Sequence, residues 1–332
     1  MSDARAATAV AGTNIALVKY WGKRDAALNL PAAGSLSLTL EGLGTRTTVS
    51  FSDALAADRL TLDGAPADSR ATARAAAFLD RVRARAGLRA RANVTSDNDM
   101  PTASGLASSA SGFAALAVAA TRAAGLAASP AELSELARLG SGSAARSIFG
   151  GFVEMARGER ADGRDAIAAP VAGGDAWHDL RLVVGVTSEA AKAIGSTEAM
   201  ERTARTSPYY AAWVASVPAD LAEARAAVAA RDLPRLGALA ERSALRMHAC
   251  ALAAEPGILY WTPGTLAALA TVRGLRGEGV DAFFTIDAGP HVKVLCTAAD
   301  APRVAAALLR TPGVLRTVVA APGRGAHIVE AG

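Results

Sequence analysis

Alternation of apolar and polar positions predicts strands in the first part of the chain. An apolar run over 14–20 is followed, from Ser35, by the sequence SLSLTLEG, whose period of two is expected of a strand with one face buried. A further alternating run over 59–62 ends in Asp63-Gly64, a dipeptide typical of tight hairpin turns. We therefore expect strands and loops over 6–62, and a further strand over 91–95.

Helical spacing of apolar residues predicts helices over 71–85 and 109–124. The next helix has a readable start, because Ser129 occupies an N-cap position, Pro130 the first helical position and Glu132 the third. We expect this helix to run to Leu139 and to end at Gly140.

The second half of the chain repeats the mixture of strands and helices. We expect a buried strand over 181–188, helices within 207–254, strands at AFFTIDA and HVKVLC, a helix over 301–310 and a last strand at LRTVVAA. This order predicts an α/β chain with two domains, residues 1–180 and residues 181–332.

Composition narrows the class of protein. Hydrophobic residues make up 51% of the 332 residues and charged residues 20%, which predicts a folded core. No apolar stretch approaches the roughly 20 residues of a membrane span, and we expect a cytoplasmic protein. Cys250 and Cys296 lie in apolar settings and are predicted to be buried thiols. The four histidines show no metal-ligand spacing, which argues against structural zinc.

Charge favours small anionic ligands over nucleic acid. The net charge is +4, but the basic residues are spread along Ala/Arg-rich helices without an aromatic platform or a nucleic-acid-binding motif. Of the 35 basic residues only four are lysines: Lys19, Lys23, Lys192 and Lys293. Lysine is a compact point charge, whereas arginine is a planar fork, so the pair Lys19 and Lys23 indicates a site that needs an ammonium group. Chance retention of two surface lysines is the alternative.

A loop rich in small residues precedes the helix predicted at 109–124. Its serines and glycines allow close backbone approach to an anion, and the start of a helix favours negative charge. The candidates for binding phosphate are Pro101, Ser104, Gly105, Leu106, Ala107, Ser108 and Ser109. The loop lacks the lysine of a Walker A sequence, and an ordinary Ser/Gly loop before an N-capped helix is the alternative.

Two further segments carry chemistry. GSGSAAR, over 140–146, offers the hydroxyls of Ser141 and Ser143 and the guanidinium of Arg146, which suits bidentate capture of carboxylate or phosphate. In the segment TIDAGPH, Asp287 follows an apolar strand and precedes a Gly-Pro turn, a position where an acid is exposed on a rigid loop. A helix-terminal salt bridge and an Asx turn are the respective alternatives.

Together these segments resemble diphosphomevalonate decarboxylases. The matching motifs are NIALVKYWGKRD, PTASGLASSASGFAAL, GSGSAARSIFGGFVE and TIDAGP, in the order and spacing of that family. The family belongs to the GHMP superfamily of galactokinase, homoserine, mevalonate and phosphomevalonate kinases. The resemblance implies an N-terminal domain like domain 2 of ribosomal protein S5, a ferredoxin-like C-terminal domain, a cleft between them and, more weakly, a homodimer.

The resemblance also implies a reaction and roles for residues. Mevalonate 5-diphosphate and ATP, with Mg²⁺, would give isopentenyl diphosphate, ADP, phosphate and CO₂. Asp287 matches the acid facing the 3-hydroxyl, Lys19 the cation beside the transferring phosphoryl group, and Arg146 the residue that grips the C1 carboxylate. The positions that match substrate contacts are Tyr20, Lys23, Arg74, Ser141, Ser143 and Ser196, and Ser108 is the candidate Mg²⁺ ligand.

Departures from the family pattern leave substrate detail open. This chain has Ala33-Gly34-Ser35 where the family has Asn-Ser-Ser, and His291 where the family has Asn. Alternatives are a decarboxylase acting on 5-phosphomevalonate, a small-molecule kinase that stops at the phosphate ester, and a non-catalytic nucleotide-binding relative. The presence of Asp287, Lys19 and Arg146 favours decarboxylation.

Overall fold

Two β-sheets organise the computed structural model, which describes residues 5–99, 108–190 and 192–329. The strands are β1 (Arg5–Val18), β2 (Lys23–Asp25), β3 (Leu30–Pro31), β4 (Ser35–Ser52), β5 (Arg59–Leu62), β6 (Ala65–Pro66), β7 (Arg91–Asn98), β8 (Phe152–Met155), β9 (Ala168–Ala172), β10 (Leu180–Val186), β11 (Phe283–Ile286), β12 (Val292–Thr297), β13 (Arg316–Ala320) and β14 (His327–Val329). The larger sheet has the order β14-β1-β4-β7-β5-β6, with β8 paired to β4 and β9 paired to β8. The smaller sheet has the order β11-β12-β10-β13, and β2 pairs with β3.

Nine helices pack on these sheets within the described residues. They are α1 (Ser69–Ala86), α2 (Ser108–Ala123), α3 (Pro130–Gly140), α4 (Ala144–Ser147), α5 (Ser196–Thr206), α6 (Tyr210–Ala230), α7 (Leu233–Leu252), α8 (Pro263–Gly277) and α9 (Ala301–Leu309). Helix α2 is rich in alanines that are fully buried, among them Ala114 and Ala117. Because a methyl side chain keeps two backbones close, α2 packs directly against β1 and β4.

The alternation predicted from Ser35 has a consequence for the site. Successive side chains of a strand point to opposite faces. Leu36 and Leu38 of β4 are fully buried in the main apolar core, whereas Ser35 and Ser37 point to the other face, where they accept hydrogen bonds. One strand therefore contributes both core packing and a row of hydroxyls.

The smaller sheet is covered on both faces. Val292 and Val294 of β12 pack in a cluster with α8 and α9, while Leu295 belongs to the core that contains α6 and α7. Strand alternation consequently directs Lys293 to the same side as Leu295, towards α7 and β1. This places a lysine in the middle of an otherwise apolar strand.

Several expectations about elements are confirmed. The hairpin turn at Asp63-Gly64 joins β5 to β6, with φ of 49° and 78° at the two residues. Helix α3 begins at the predicted capping box, in which Ser129 and Glu132 cap each other's backbone. Cys250 and Cys296 are free and buried, as expected.

Helices α4, α5 and α8 were not expected. Helix α5 begins just after Gly195, which offers no side-chain cap, and α8 contains glycines that weaken its helical pattern. A start signal for α8 is nevertheless present, because Thr262 and Thr265 form a capping box around Pro263. The first turn of α5 lines the cleft, so the sequence-based prediction missed an element of the site.

The division near residue 180 stays a prediction. The smaller sheet begins at β10, but β14 returns to the larger sheet and pairs with β1. Within the described residues, no helix has both the length and the hydropathy needed to cross a bilayer. The cytoplasmic location also remains a prediction.

Candidate active site

A cavity of about 650 Å³ lies where the end of β1, the α3–α4 turn, the starts of α1, α2 and α5 and the end of β11 meet. The predicted site residues that line it are Lys19, Tyr20, Lys23, Arg74, Ser109, Ser141, Ser143, Arg146, Ser196 and Asp287. These residues come from points up to 268 positions apart, the separation between Lys19 and Asp287. The segments singled out in the sequence therefore converge on one cleft.

Asp287 lies just beyond the end of β11, between two lysines. Its Oδ1 accepts a hydrogen bond from Lys19 Nζ at 2.7 Å, and its Oδ2 lies 3.1 Å from Lys293 Nζ. Both lysines are 1% exposed, whereas the Asp287 side chain keeps 24% exposure towards the cavity. Burial alone would raise the pKa of Asp287, but the two ammonium groups outweigh it and hold that pKa below its usual range.

Lys19 is held in place by both its backbone and its side chain. Its backbone N–H donates to Ser243 Oγ on α7 at 3.0 Å, and its Nζ donates to the carbonyl oxygen of Ala16 at 2.7 Å. Burial lowers the pKa of Lys19 to about 8, although the contact with Asp287 opposes that shift. The ammonium is thus fixed in direction, and it loses its proton at lower pH than an exposed lysine does.

Arg146 lies on the short helix α4 and is 2% exposed. Its guanidinium donates to Ser35 Oγ at 2.6 Å, to Ser37 Oγ at 2.9 Å and to Asn14 Oδ1 at 3.1 Å. All of these partners are neutral, and no carboxylate of the described residues forms a salt bridge with it. Burial lowers the pKa of Arg146 to about 10. A buried cation without a counterion is a site for an anionic ligand.

Tyr20 lies beside Arg146 at the α3–α4 turn. The guanidinium carbon of Arg146 is 5.8 Å from the centre of the Tyr20 ring. A Cβ atom at Gly142 would lie 2.1 Å from Tyr20 Oη, so only glycine permits this approach. Among the described residues the Tyr20 hydroxyl has no hydrogen-bond partner, and burial raises its pKa to about 12. It is therefore a protonated donor available to a ligand.

A second group of cations and hydroxyls lies on the other side of the cavity. Burial lowers the pKa of Lys23, and Arg74, whose guanidinium stacks 5.1 Å from the Phe113 ring, adds to that effect. Neither cation forms a salt bridge within the described part of the chain. The hydroxyls of Ser141 and Ser143 lie 3.3 Å apart at the α3–α4 turn. Ser196, the remaining hydroxyl, occupies the first turn of α5, where backbone N–H groups favour an anion.

Of the predicted phosphate-binding segment 101–109, the structure describes only the last two residues. Pro101, Ser104, Gly105, Leu106 and Ala107 lie outside the described residues. Ser108 is described as the first residue of α2 without its side chain, and Ser109 lines the cavity. The predicted helix after the loop is confirmed, while its contacts with a nucleotide stay a prediction.

Sequence reasoning missed several residues of the site. Lys192 lines the cavity. Lys293 does not line it but forms a salt bridge with Asp287. His248 of α7 is buried, and burial lowers its pKa to about 3, so it is neutral beside this cluster. The scarcity of lysine was the available signal, because all four lysines of the chain prove to line the cleft or contact Asp287.

The departures from the family pattern have local explanations. Gly34 packs so close to α6 that a Cβ atom there would lie 2.7 Å from Leu221 Cδ1. His291 is 1% exposed and its Nδ1 accepts the backbone N–H of Thr187 at 3.3 Å. Burial lowers the pKa of His291 to about 3, which keeps that nitrogen an acceptor. Neither Gly34 nor His291 lines the cavity, so these departures do not change the charged residues that do.

Comparison with known proteins gives one consistent family. Residues 11–168 match a family model described as the diphosphomevalonate decarboxylase-like N-terminal domain, and residues 182–318 match the mevalonate 5-diphosphate decarboxylase C-terminal domain. Diphosphomevalonate decarboxylase mvd1 of Aspergillus fumigatus is 40% identical over 318 residues, which cover 90% of this chain and 78% of that protein.

Solved structures agree with the sequence comparison. The crystal structure of mevalonate diphosphate decarboxylase from Staphylococcus aureus superposes with a TM-score of 0.93 at 38% identity and covers 98% of both chains. MDDEF in complex with MVAPP, AMPPCP and magnesium superposes with a TM-score of 0.92 at 40% identity, covering 98% of this chain and 99% of that one. The predicted GHMP-kinase-like fold is thereby confirmed.

Proposed function

We propose that this chain, which belongs to the diphosphomevalonate decarboxylase family, converts mevalonate 5-diphosphate and ATP into isopentenyl diphosphate, ADP, phosphate and CO₂. The observation that carries the assignment is the arrangement of charges in the cleft. The buried guanidinium of Arg146, which has no counterion among the described residues, lines the same cavity as the ion pair between Lys19 and Asp287. A substrate with a carboxylate next to a hydroxyl complements both features.

The reaction requires the 3-hydroxyl to become a leaving group. Its oxygen bonds to the γ-phosphorus of ATP as the bond to ADP breaks, and the proton of the hydroxyl is released. The C3–O bond then breaks and releases phosphate, and the electrons of the C1–C2 bond form the C2=C3 double bond as CO₂ departs. Asp287, whose carboxylate is partly open to the cavity, accepts the hydrogen bond of the 3-hydroxyl and fixes the direction of its attack.

Lys19 supports the phosphoryl transfer. Its ammonium is fixed by Ala16 and Asp287, so it can face negative charge on the moving phosphoryl group without reorganising. Preorganised charge of this kind is worth roughly 10²–10³-fold in rate.

Arg146 grips the C1 carboxylate. Three neutral partners orient its guanidinium, and the carboxylate would supply the missing negative charge. Holding this group in one orientation aligns the C1–C2 bond with the empty orbital that develops at C3. A kinase that stops at the phosphate ester has no need of such a grip, which favours decarboxylation over the kinase alternative.

The diphosphate lies, in this proposal, against Lys23, Arg74 and the hydroxyls of Tyr20, Ser141, Ser143 and Ser196. Burial lowers the pKa of both Lys23 and Arg74, and neither forms a salt bridge within the described residues, which suits a polyanion. A substrate with one phosphate would leave part of this group without a partner, and we therefore favour the diphosphate over 5-phosphomevalonate.

ATP would bind at the phosphate-binding segment predicted over 101–109, with its phosphates at the start of α2. Support comes from MDDEF, whose structure holds AMPPCP and magnesium together with MVAPP. No group of three His, Cys, Asp or Glu residues in the described part of the chain could hold a metal ion. Mg²⁺ is usually bound through substrate phosphates and one or two protein oxygens, and Ser108 is the proposed protein ligand. The ion would neutralise charge on the β- and γ-phosphates.

A homodimer and a cytoplasmic location complete the proposal, the first from the family resemblance and the second from the sequence.

The test compares three substrates. The purified protein is given Mg²⁺-ATP with mevalonate, its 5-phosphate or its 5-diphosphate, and ADP and CO₂ are followed together. We expect equal amounts of both products, with the 5-diphosphate preferred. ADP without CO₂ would instead identify a small-molecule kinase, and neither product would favour a non-catalytic relative.

A further inference from the structure

The negative charge of Asp287 is shared between two lysines that approach from different elements. Lys19 follows β1 and contacts Oδ1, while Lys293 lies in the middle of β12 and contacts Oδ2 at 3.1 Å. The proposed function uses Lys19 but gives no role to Lys293. A fully buried lysine in a sheet strand requires an explanation, because an ammonium is costly to remove from water unless it is paired.

Lys293 does not reach the substrate. It is 1% exposed and does not line the cavity, so its ammonium acts on the site only through Asp287. Its backbone is fixed on both sides, since it is directly opposite Thr285 of β11 and Val184 of β10. Thr285 is in turn anchored to β1 by a hydrogen bond to the carbonyl oxygen of Ala16, the atom that also accepts from Lys19. The lysine thus lies on a strand that is paired on both sides.

We propose that Lys293 is a positioning residue for the phosphoryl-transfer step: its ammonium holds Oδ2 of Asp287 and leaves Oδ1, with the exposed part of the carboxylate, to Lys19 and the substrate hydroxyl. The inference rests on the proposed role of Asp287. With two cations and one anion, the cluster keeps a net positive charge beside the place where the phosphoryl group moves. A carboxylate stabilised in this way stays ionised and orients the hydroxyl by accepting its hydrogen bond.

Other titratable groups around Asp287 do not replace the contact between Lys293 and Asp287. They are Lys192 before α5, Arg146 on α4, and the neutral imidazoles of His248 on α7 and His291 beyond β11. In the described residues, the salt bridges of Asp287 are those to Lys19 and Lys293. Removing Lys293 therefore changes the immediate charge around the carboxylate.

The proposal predicts a measurable coupling between Lys293 and Lys19. The positive charge of Lys293 helps to lower the pKa of Lys19, and it also lowers the pKa of Asp287. If that charge is removed, the pKa of Lys19 must rise, because its protonated form loses a repulsive neighbour. The pKa of Asp287 must rise as well, because its ionised form loses an attractive one.

The scarcity of lysine makes a direct measurement practical. With only four lysines in the chain, labelling at Cε gives four side-chain resonances, which single Lys→Met variants assign. The variants to titrate are Lys293→Gln, which keeps a hydrogen-bond donor, and Lys293→Met, which does not. Leu295→Met is the matched control, because it alters the same face of the same strand without changing charge.

We expect Lys19 to titrate near pH 8 in the wild type and at higher pH in both Lys293 variants, with Leu295→Met unchanged. In turnover, the alkaline limb of kcat/KM should move to higher pH, and kcat should fall roughly 10-fold, with a smaller change in KM for mevalonate 5-diphosphate. A purely structural role of Lys293 would lower stability without moving the titration of Lys19 or the alkaline limb of kcat/KM. An unchanged or lower midpoint for Lys19 in both variants would overturn the proposal. Since the titration needs no turnover, failure of the proposed function, seen as absence of CO₂ from the wild type, is distinguished from failure of this inference.

Discussion

Replacing Asp287 by asparagine tests how much the charge cluster of Lys19, Asp287 and Lys293 stabilises the fold, because the substitution keeps the shape of the side chain and removes its charge. Two ammonium groups within 3.1 Å of the carboxylate, both 1% exposed, would lose their shared counterion. Removing one partner of a buried ion pair costs about 3–5 kcal/mol. Since the Asp287 side chain is 24% exposed, we expect the lower end, about 3 kcal/mol of the free energy of unfolding at pH 7.

The pH dependence of that loss has a definite sign. In the wild type the folded-state pKa of Lys19 is already lowered, and it falls further without Asp287, whose charge raises it. Between that folded pKa and the unfolded value of 10.5, the unfolded state binds more protons, so the stability of the variant rises with pH. The stabilisation from Asp287, whose own folded pKa is depressed, is present above its unfolded pKa and is lost only in strong acid. The wild type gains stability in the same way above about pH 8, so the deficit of the variant should be largest below the lowered pKa of Lys19 in the variant, shrink between that pKa and about pH 8, and stay constant at higher pH.

The assay combines urea unfolding at pH 5, 7 and 9.5 with turnover at pH 7. Asp281→Asn is the matched control, because Asp281 is exposed just before β11. We expect Asp287→Asn to lose roughly 10²–10⁴-fold in kcat. Equal stability of the Asp287 variant and the wild type at pH 7, or a deficit that does not shrink at pH 9.5, would refute the reasoning.

Four further outcomes follow from the same geometry. Gly142→Ala should raise KM for mevalonate 5-diphosphate roughly 10-fold, because its Cβ would displace the Tyr20 hydroxyl; steady-state kinetics with unchanged KM would contradict this. Arg146→Lys keeps the charge but loses the fork, and CO₂ release should slow roughly 10²-fold, whereas wild-type release would count against the carboxylate role. Arg74→Met should raise KM for mevalonate 5-diphosphate far more than KM for ATP, and equal effects would place Arg74 elsewhere. In the wild type, kcat/KM should decline above about pH 8 as Lys19 loses its proton, and a flat profile to pH 10 would exclude Lys19 as the charged group.

Local patterns in the sequence were sufficient to predict many elements. The capping box at Ser129, the turn at Asp63-Gly64 and the alternation that begins at Ser35 each act over a few residues, and each is present in the structure. Helix α8 shows the limit of such reasoning, because its glycines obscured a capping box at Thr262 that was present in the sequence.

Long-range pairing in the site could not be predicted from local patterns. Nothing near Ser35 or Ser37 indicates that their hydroxyls will hold a guanidinium more than 100 residues away, at Arg146. The contact between Lys293 and Asp287 depends on the order of β11 and β12 and on the way the smaller sheet packs against β1. The one usable signal was chemical, since a lysine within the apolar run HVKVLC of an arginine-rich chain indicates a buried partner.

The most direct test of the central claim is the stoichiometry of a single reaction. The protein is incubated with Mg²⁺-ATP and mevalonate 5-diphosphate labelled at C1, and ADP, phosphate and labelled CO₂ are counted in the same sample, with Asp287→Asn as the control. We predict one ADP, one phosphate and one CO₂ for each substrate consumed, and almost none of the three from the variant. Formation of ADP with the label retained in a phosphorylated acid would contradict the account.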